Sequence, residues 1–306
     1  MGMRLLSRLW QAVPVVFGVV TIVFLLIHMI PGDPVEIMLG ENAVPALKEE
    51  LRRELRLDRP LSAQYADYLA GLVRGDLGTS FRSREPVARE ILSRFPATLL
   101  LAVASMLVAL AVSVPLGVLS AMRPRSAADH LCGLFSMLGL SMPNFWLGPL
   151  LILLFSIRLG LLPVGGWGTA AHLVLPAATM GTGMAAILTR MLRASLLEEI
   201  RREYVQVAIA RGLSRRAAVL RHALRNALIP VLTVLGLQFG ALLAGSVITE
   251  TIFSWPGIGR LTIQAIDARD YPLVQGCVLF IALFTVAVNL LTDLLYSRLD
   301  PRIRVE

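Results

Sequence analysis

Lysine is almost absent from this sequence: Lys48 stands alone, although lysine and arginine together number 29 among 306 residues. A phosphate-gripping loop of the form G-x-x-x-x-G-K-[ST] needs a lysine behind its glycines. Lys48 follows Ala46-Leu47 instead, so the chain is no ATPase of that type. Charge of any kind is sparse: 16% of residues are charged, where a soluble domain carries about a quarter. Cysteine is scarce too. Cys132 and Cys277 both sit in apolar runs, which excludes a disulfide framework and leaves them as small packing residues. The histidines, His28, His130, His172 and His222, are scattered with no H-E-x-x-H, so no metal site is expected. The nearest approach to a nucleophilic serine elbow, Gly139-Leu140-Ser141-Met142-Pro143, lacks the closing glycine. No enzyme is expected, not even a membrane-embedded one. Neither an internal repeat nor a low-complexity tract is visible.

Apolar residues are what the chain does have. They make up 56% of it, and the mean hydropathy is +0.71. A bilayer core about 30 Å thick takes roughly 20 apolar residues per helix. The spans read are Trp10–Ile30, Ala97–Met122, Leu131–Ile157, Ala170–Thr189, Ala227–Ile248 and Leu273–Tyr296. They predict an all-α integral membrane protein with about six transmembrane helices. Pro143 interrupts the third, and Pro176, Gly181 and Gly183 the fourth; such breakers are tolerated where neighbouring helices cover the backbone. The first span is too long for a cleaved signal peptide, and Pro31-Gly32-Asp33-Pro34 follows it instead of an A-x-A-like site. A retained helix is expected.

The formal net charge of +8 would suggest nucleic acid in a soluble protein. Its distribution argues otherwise. One face receives Arg4, Arg8, Arg123, Arg125, Arg298, Arg302, Arg304 and a fourth-to-fifth loop bearing Arg190, Arg193, Arg201, Arg202, Arg211, Arg215, Arg216, Arg221 and Arg225. The opposite face is nearly neutral. This bias puts the basic face and both termini in the cytoplasm. Three stretches result: a helix over 1–30, a long extracytoplasmic loop over 31–96, and a five-helix core over 97–306 that includes the loop at about 193–226. In the outer loop, Leu47, Leu51 and Leu55 mark one face of a helix over Leu47–Leu57, and Gln64–Val73 reads as another.

The most informative segment is Glu203-Tyr204-Val205-Gln206-Val207-Ala208-Ile209-Ala210-Arg211-Gly212-Leu213-Ser214. It reads as a short helix ended by Gly212 in a left-handed C-terminal position. A second basic helix then runs from Ser214, as N-cap, to Asn226. Small side chains at Ala208 and Ala210 allow close approach by a partner. On charge alone, the segment is a basic surface for anionic membrane lipid.

At these residues the chain resembles the permease subunits of ATP-binding-cassette importers, within them the dipeptide, oligopeptide and nickel branch. The resemblance extends to His28-Met29-Ile30-Pro31-Gly32-Asp33-Pro34, Arg74-Gly75-Asp76-Leu77-Gly78, Arg221-His222-Ala223-Leu224-Arg225-Asn226-Ala227-Leu228-Ile229-Pro230 and Gln238-Phe239-Gly240. It continues through Trp255-Pro256-Gly257-Ile258-Gly259-Arg260 to Arg269-Asp270-Tyr271-Pro272. It implies the type I importer permease fold, in the inner membrane of a bacterium or archaeon. It also implies a solute, most simply a dipeptide or oligopeptide, delivered by an extracytoplasmic binding protein. A second, homologous permease and two ATP-binding subunits are implied as partners. ATP and magnesium would be used by those subunits, with no cofactor on this chain. In this family the cytoplasmic segment is the EAA loop, which docks on the ATPase. The implied contacts are Glu203, Tyr204, Gln206, Val207, Ala208, Ala210, Arg211, Gly212 and Ser214. Gln206 stands where the family has glutamate, and Arg225 where many members have proline.

Polar residues inside spans leave alternatives open. Asn144, Thr179, Thr182 and Gln238 line a route or hydrogen-bond between helices. Asp293 is an interfacial acid, paired with Arg298, or part of an ion path. His28 reads as an interfacial cap. Between the last two spans, Phe253, Trp255, Pro256, Gly257, Arg260 and Asp270 form an interfacial anchor or, as the resemblance suggests, an outer gate or docking surface. A secondary transporter driven by an ion gradient would want midplane acids and related halves. The acids here lie at span ends.

Overall fold

The computed structural model describes residues 2–29, 32–40 and 43–299, with side chains apart from those of residues 2–13, 241, 243–245 and 293–299. The reading of Asp293 with Arg298 lies outside the described side chains. Thirteen α-helices are described: α1 Gly2–Met29, α2 Pro34–Leu39, α3 Pro45–Glu54, α4 Leu61–Val73, α5 Val87–Met122, α6 Ala127–Ser141, α7 Asn144–Leu151, α8 Ala170–Ile200, α9 Glu203–Ala210, α10 Arg215–Ala218, α11 Leu224–Ile252, α12 Ile258–Asp267 and α13 Tyr271–Leu299. The only pairing of extended backbone among the described residues is an isolated bridge between Thr79 and Pro86. Among the described residues, four helices are long and apolar enough to cross a membrane: Val87–Met122, Ala170–Ile200, Arg215–Gly240 and Tyr271–Thr292.

Three expectations change in detail. The third span is not one rod: α6 and the helix beginning at Asn144 meet at 109°. Pro143 is the cause, since proline drives the residue before it out of the α region, and Met142 is extended at φ −87°, ψ 114°. The fourth span, by contrast, is unbroken from Ala170 to Ile200. Gly181 and Gly139 are packing sites: a Cβ on Gly181 would lie 2.8 Å from the Ser105 carbonyl oxygen, and one on Gly139 of α6 would lie 2.9 Å from Ala186. They let α5 and α6 approach α8 closely, as small residues do between membrane helices. Finally, the second basic helix does not end at Asn226. It passes from Ser214 through a π-helical turn, Val219–Ala223, straight into α11.

By packing, the described residues form two units, one of residues 1–98 and 256–286, the other of 99–255 and 287–306. The core of the first gathers Ile27, Val87, Ile91, Ile258, Leu261, Tyr271 and Cys277, with Leu57, Leu77 and Phe81 against it. Its loop motifs are turns. Asp33 accepts from Val35 N at 2.9 Å and caps α2 behind Pro34. Asp76 accepts from Gly78 N at 2.8 Å between two glycines of positive φ. Of the leucines predicted for one face of α3, Leu51 is buried and Leu47 is exposed. The core of the second unit runs along α8, with Leu188, Leu192, Leu196, Val205, Val219, Ala223, Ala227 and Val231 all fully enclosed.

Candidate functional site: a braced helix, an amide-lined cavity and an outer turn

The helix α9 is split lengthwise. Val205 is fully buried, and Ala208 and Ile209 pack against the same core; these positions follow the i, i+3, i+4 spacing of one helix face. Glu203, Val207, Ala210 and Arg211 lie on the opposite face and are exposed, with Val207 49% and neighbouring Tyr204 40% accessible.

Hydrogen bonds brace that helix from below. The Gln206 amide donates to the Ile200 carbonyl at 2.8 Å, closing the end of α8. A glutamate, ionised and acceptor-only, could not make this bond, which gives the glutamine at this position a physical reason. The Tyr204 hydroxyl donates to the Glu199 carboxylate and accepts from the Asn226 amide at 2.9 Å, tying α9 to α8 and α11. Burial, then the Glu199 bond, raises the Tyr204 phenol above its ordinary pKa, so it stays a neutral donor. At the far end Gly212 has φ +97°. Its Leu213 neighbour donates to the Ala208 carbonyl at 3.2 Å, the long bond of a Schellman-type cap. Ser214 then caps α10 through Ala217 N at 3.3 Å.

One supporting cluster has no counterpart among the sequence expectations. Asp129, 9% exposed, receives the Arg193 guanidinium at 2.7 and 2.8 Å, the Ser120 hydroxyl and Arg125 N at 2.9 Å. It fastens α5, α6 and α8 together at the end of α8 that leads into α9. The spacing Ser126-Ala127-Ala128-Asp129, a capping pattern, was the available sequence signal: Ser126 accepts from Asp129 N at 3.3 Å.

The four polar span residues separate into two kinds. Thr179 and Thr182 each donate back to their own helix, to Leu175 and Ala178 carbonyls at 2.8 and 2.7 Å. Asn144 and Gln238 are brought together: both line a cavity of about 190 Å³ with Met180, Gly183 and Met184.

The turn that follows α11 is closed. Phe253 and Trp255 are 1% and 2% exposed. Gly166 N donates to the Phe253 carbonyl at 2.7 Å, Trp167 stands edge-on to Trp255 with centroids 4.6 Å apart, and a Cβ on Gly165 would lie 2.3 Å from the Phe253 oxygen. Glu250, fully buried, accepts from Ser246 at 3.0 Å. In the other unit, Gly257 caps α12, whose Ile258 N donates to Thr98 Oγ1 at 2.8 Å. Pro256, Gly257 and Arg260 line a small cavity with Arg94. Asp270 is 1% exposed and accepts from the Ser80 hydroxyl, Phe81 N at 3.1 Å, Arg82 N at 3.2 Å and Leu273 N at 3.3 Å. It therefore works as the pin of a loop. None of the six residues expected at an outer gate or docking surface is exposed.

Comparison with known proteins gives this geometry its context. The model of the binding-protein-dependent transport system inner membrane component matches residues 113–305, and the model of its N-terminal part matches residues 1–102. The chain is 45% identical to the dipeptide transport system permease protein DppB of Escherichia coli K12, across 98% of both chains. It is 46% identical to the di/tripeptide transport system permease protein DppB of Pseudomonas aeruginosa UCBPP-PA14, across 97% of both. To the glutathione transport system permease protein GsiC of Escherichia coli K12 it is 42% identical, across 98% of both. The fold resembles that of an amino acid ABC transporter crystallised with histidines, at TM-score 0.56 and 16% identity over 69% of this chain and 94% of that one. The methionine transporter MetNI matches at TM-score 0.52 and 17% identity over 69% and 96%. The apolar helices, the braced α9 and matches along nearly the whole sequence agree: this chain belongs to the binding-protein-dependent transport inner-membrane component family, and is a multi-pass permease subunit of an ABC importer.

Proposed function

We propose that this permease imports short peptides and that α9 receives the stroke of a separate ATPase. The observation that carries the second part is the split of α9: Val205 is locked in the core while Val207, Ala210 and Arg211 are exposed on a helix whose ends are both tied down. Such an element moves as a unit, because packed helices shift between discrete arrangements instead of deforming. The chain has no phosphate-binding lysine of its own, which supports two ATP-binding partners using ATP and magnesium. A second, homologous permease would complete the pathway, and an extracytoplasmic binding protein would deliver the solute. Peptide as the solute is supported by the names of the relatives, which carry dipeptides, tripeptides and glutathione.

In this reading α9 and both termini face the cytoplasm, in keeping with the basic loop around it. The 31–96 stretch lies outside. Phe253 and Trp255, clamped by the 165–167 turn, keep the outer end shut, and ATP-driven movement of α8 and α11 releases them. The Asp129–Arg193 pair passes movement of α8 on to α5 and α6. The test is peptide uptake by the complete complex in proteoliposomes, with ATP withdrawn while a proton gradient is held. Uptake is expected to stop. Uptake that continues on the gradient alone would establish the secondary-transporter reading instead. Replacing Val207→Asp is expected to release the ATPase subunits on co-purification while the permease stays in the membrane.

A further inference from the structure

The cavity holding Asn144 and Gln238 lies midway along two long helices. Gln238 falls near the centre of α11, and Met180, Gly183 and Met184 near the centre of α8. Asn144 reaches it because the 109° break puts that residue at the first position of α7. Both carboxamides are half-buried, and neither side chain has a hydrogen-bond partner among the described residues. This differs from Thr179 and Thr182, which satisfy themselves on their own helix. An amide left without a partner when water is excluded costs free energy. Two of them facing one space offer donors and acceptors to whatever enters it.

We propose that Asn144 and Gln238 form a half-site that hydrogen-bonds a peptide bond of the passing solute. The chemistry is complementary: a carboxamide presents one carbonyl and one NH2, and a peptide bond presents one N–H and one carbonyl. A peptide crossing this region has to keep both groups satisfied. The pair can do so whatever the side chains are, and no charge is needed. Met180 and Met184 flank it with flexible thioethers, which adapt to differing side chains. Gly183 leaves room between them. The volume of about 190 Å³ is below the roughly 300–1,000 Å³ of complete ligand pockets, in keeping with a half that a second permease completes. The inference rests on the peptide-import reading and names the group recognised within it.

The test uses the full complex in proteoliposomes, at saturating loaded binding protein, so that delivery does not limit the rate. The probes are alanyl-alanine, trialanine and the ester isostere of alanyl-alanine, in which oxygen replaces the peptide N–H. Asn144→Leu and Gln238→Met are each expected to lower the maximal rate for alanyl-alanine about tenfold, the worth of a hydrogen bond lost in a dry site. Binding-protein-stimulated ATPase activity should persist. The preference of the unaltered complex for amide over ester should collapse in both variants. Gln238→Ala, which also removes the acceptor for the peptide N–H, should show the same collapse if Gln238→Met fails to assemble. Variants that keep the full amide preference overturn the half-site and leave peptide import standing. An unaltered complex that takes up neither alanyl-alanine nor trialanine overturns both.

Discussion

The Glu203–Ser214 segment and the turn that follows α11 carry equally dense sequence motifs, yet the structure uses them in opposite ways. In Glu203 to Ser214 the motif residues divide. Val205 is enclosed, Gln206 and Tyr204 brace, and Val207, Ala210 and Arg211 are left to solvent. Among Phe253, Trp255, Gly257 and Asp270 nothing is left over: each is buried, and Asp270 alone takes four donors. A motif therefore marks constrained residues without saying whether the constraint is a partner or the fold. Exposure separates the two. Val207 is left accessible, as the proposed coupling contact requires, whereas a carboxylate sealed under backbone N–H groups is already satisfied.

The comparison breaks most visibly at Asp270. Asp270→Ala takes the acceptor from the buried Ser80 hydroxyl and Leu273 N, at about 1–3 kcal/mol for each orphaned group. Thermal unfolding of the purified complex should show a loss of about 3 kcal/mol or more, with uptake falling only in proportion to surviving complex. A normal melting profile with abolished uptake would instead make this acid part of a working outer surface. The next effect belongs to Gly212. No atom lies within 4 Å of a Cβ built there, but φ is +97°, so Gly212→Trp costs about 1–2 kcal/mol of backbone strain. It also puts bulk beside the exposed face. Membrane insertion, followed by protease protection, should be normal while uptake is lost; retained uptake would argue strongly against coupling through α9. The smallest effect is expected from Gln206→Glu. It removes one donor from the Ile200 carbonyl, worth about 1 kcal/mol. Uptake per ATP hydrolysed should drop several-fold, and Gln206→Asn should not restore it because its amide is one methylene short.

Much of the fold was legible in the sequence because hydrocarbon imposes a length and a composition on each span. The glycine cap at Gly212 and the N-cap at Ser214 were legible as well, since left-handed backbone and free helix-end donors each select a short list of residues. The broken third span was visible as Pro143, but its angle was not. The same kind of reading misjudged α8, where Gly181 looked like an interruption and is a site of close packing.

What the sequence alone determined is therefore local: which stretches are apolar enough to leave water, where helices start and stop, and that no phosphate-binding lysine is present. Tertiary structure decided which polar residues meet. Asp129 and Arg193 are 64 positions apart and share two hydrogen bonds, Asp270 finds three of its four donors 188 to 190 positions away, and Asn144 faces the cavity that Gln238 lines. Pairings across such distances depend on how helices pack, and packing is fixed by the whole set of side-chain shapes acting together.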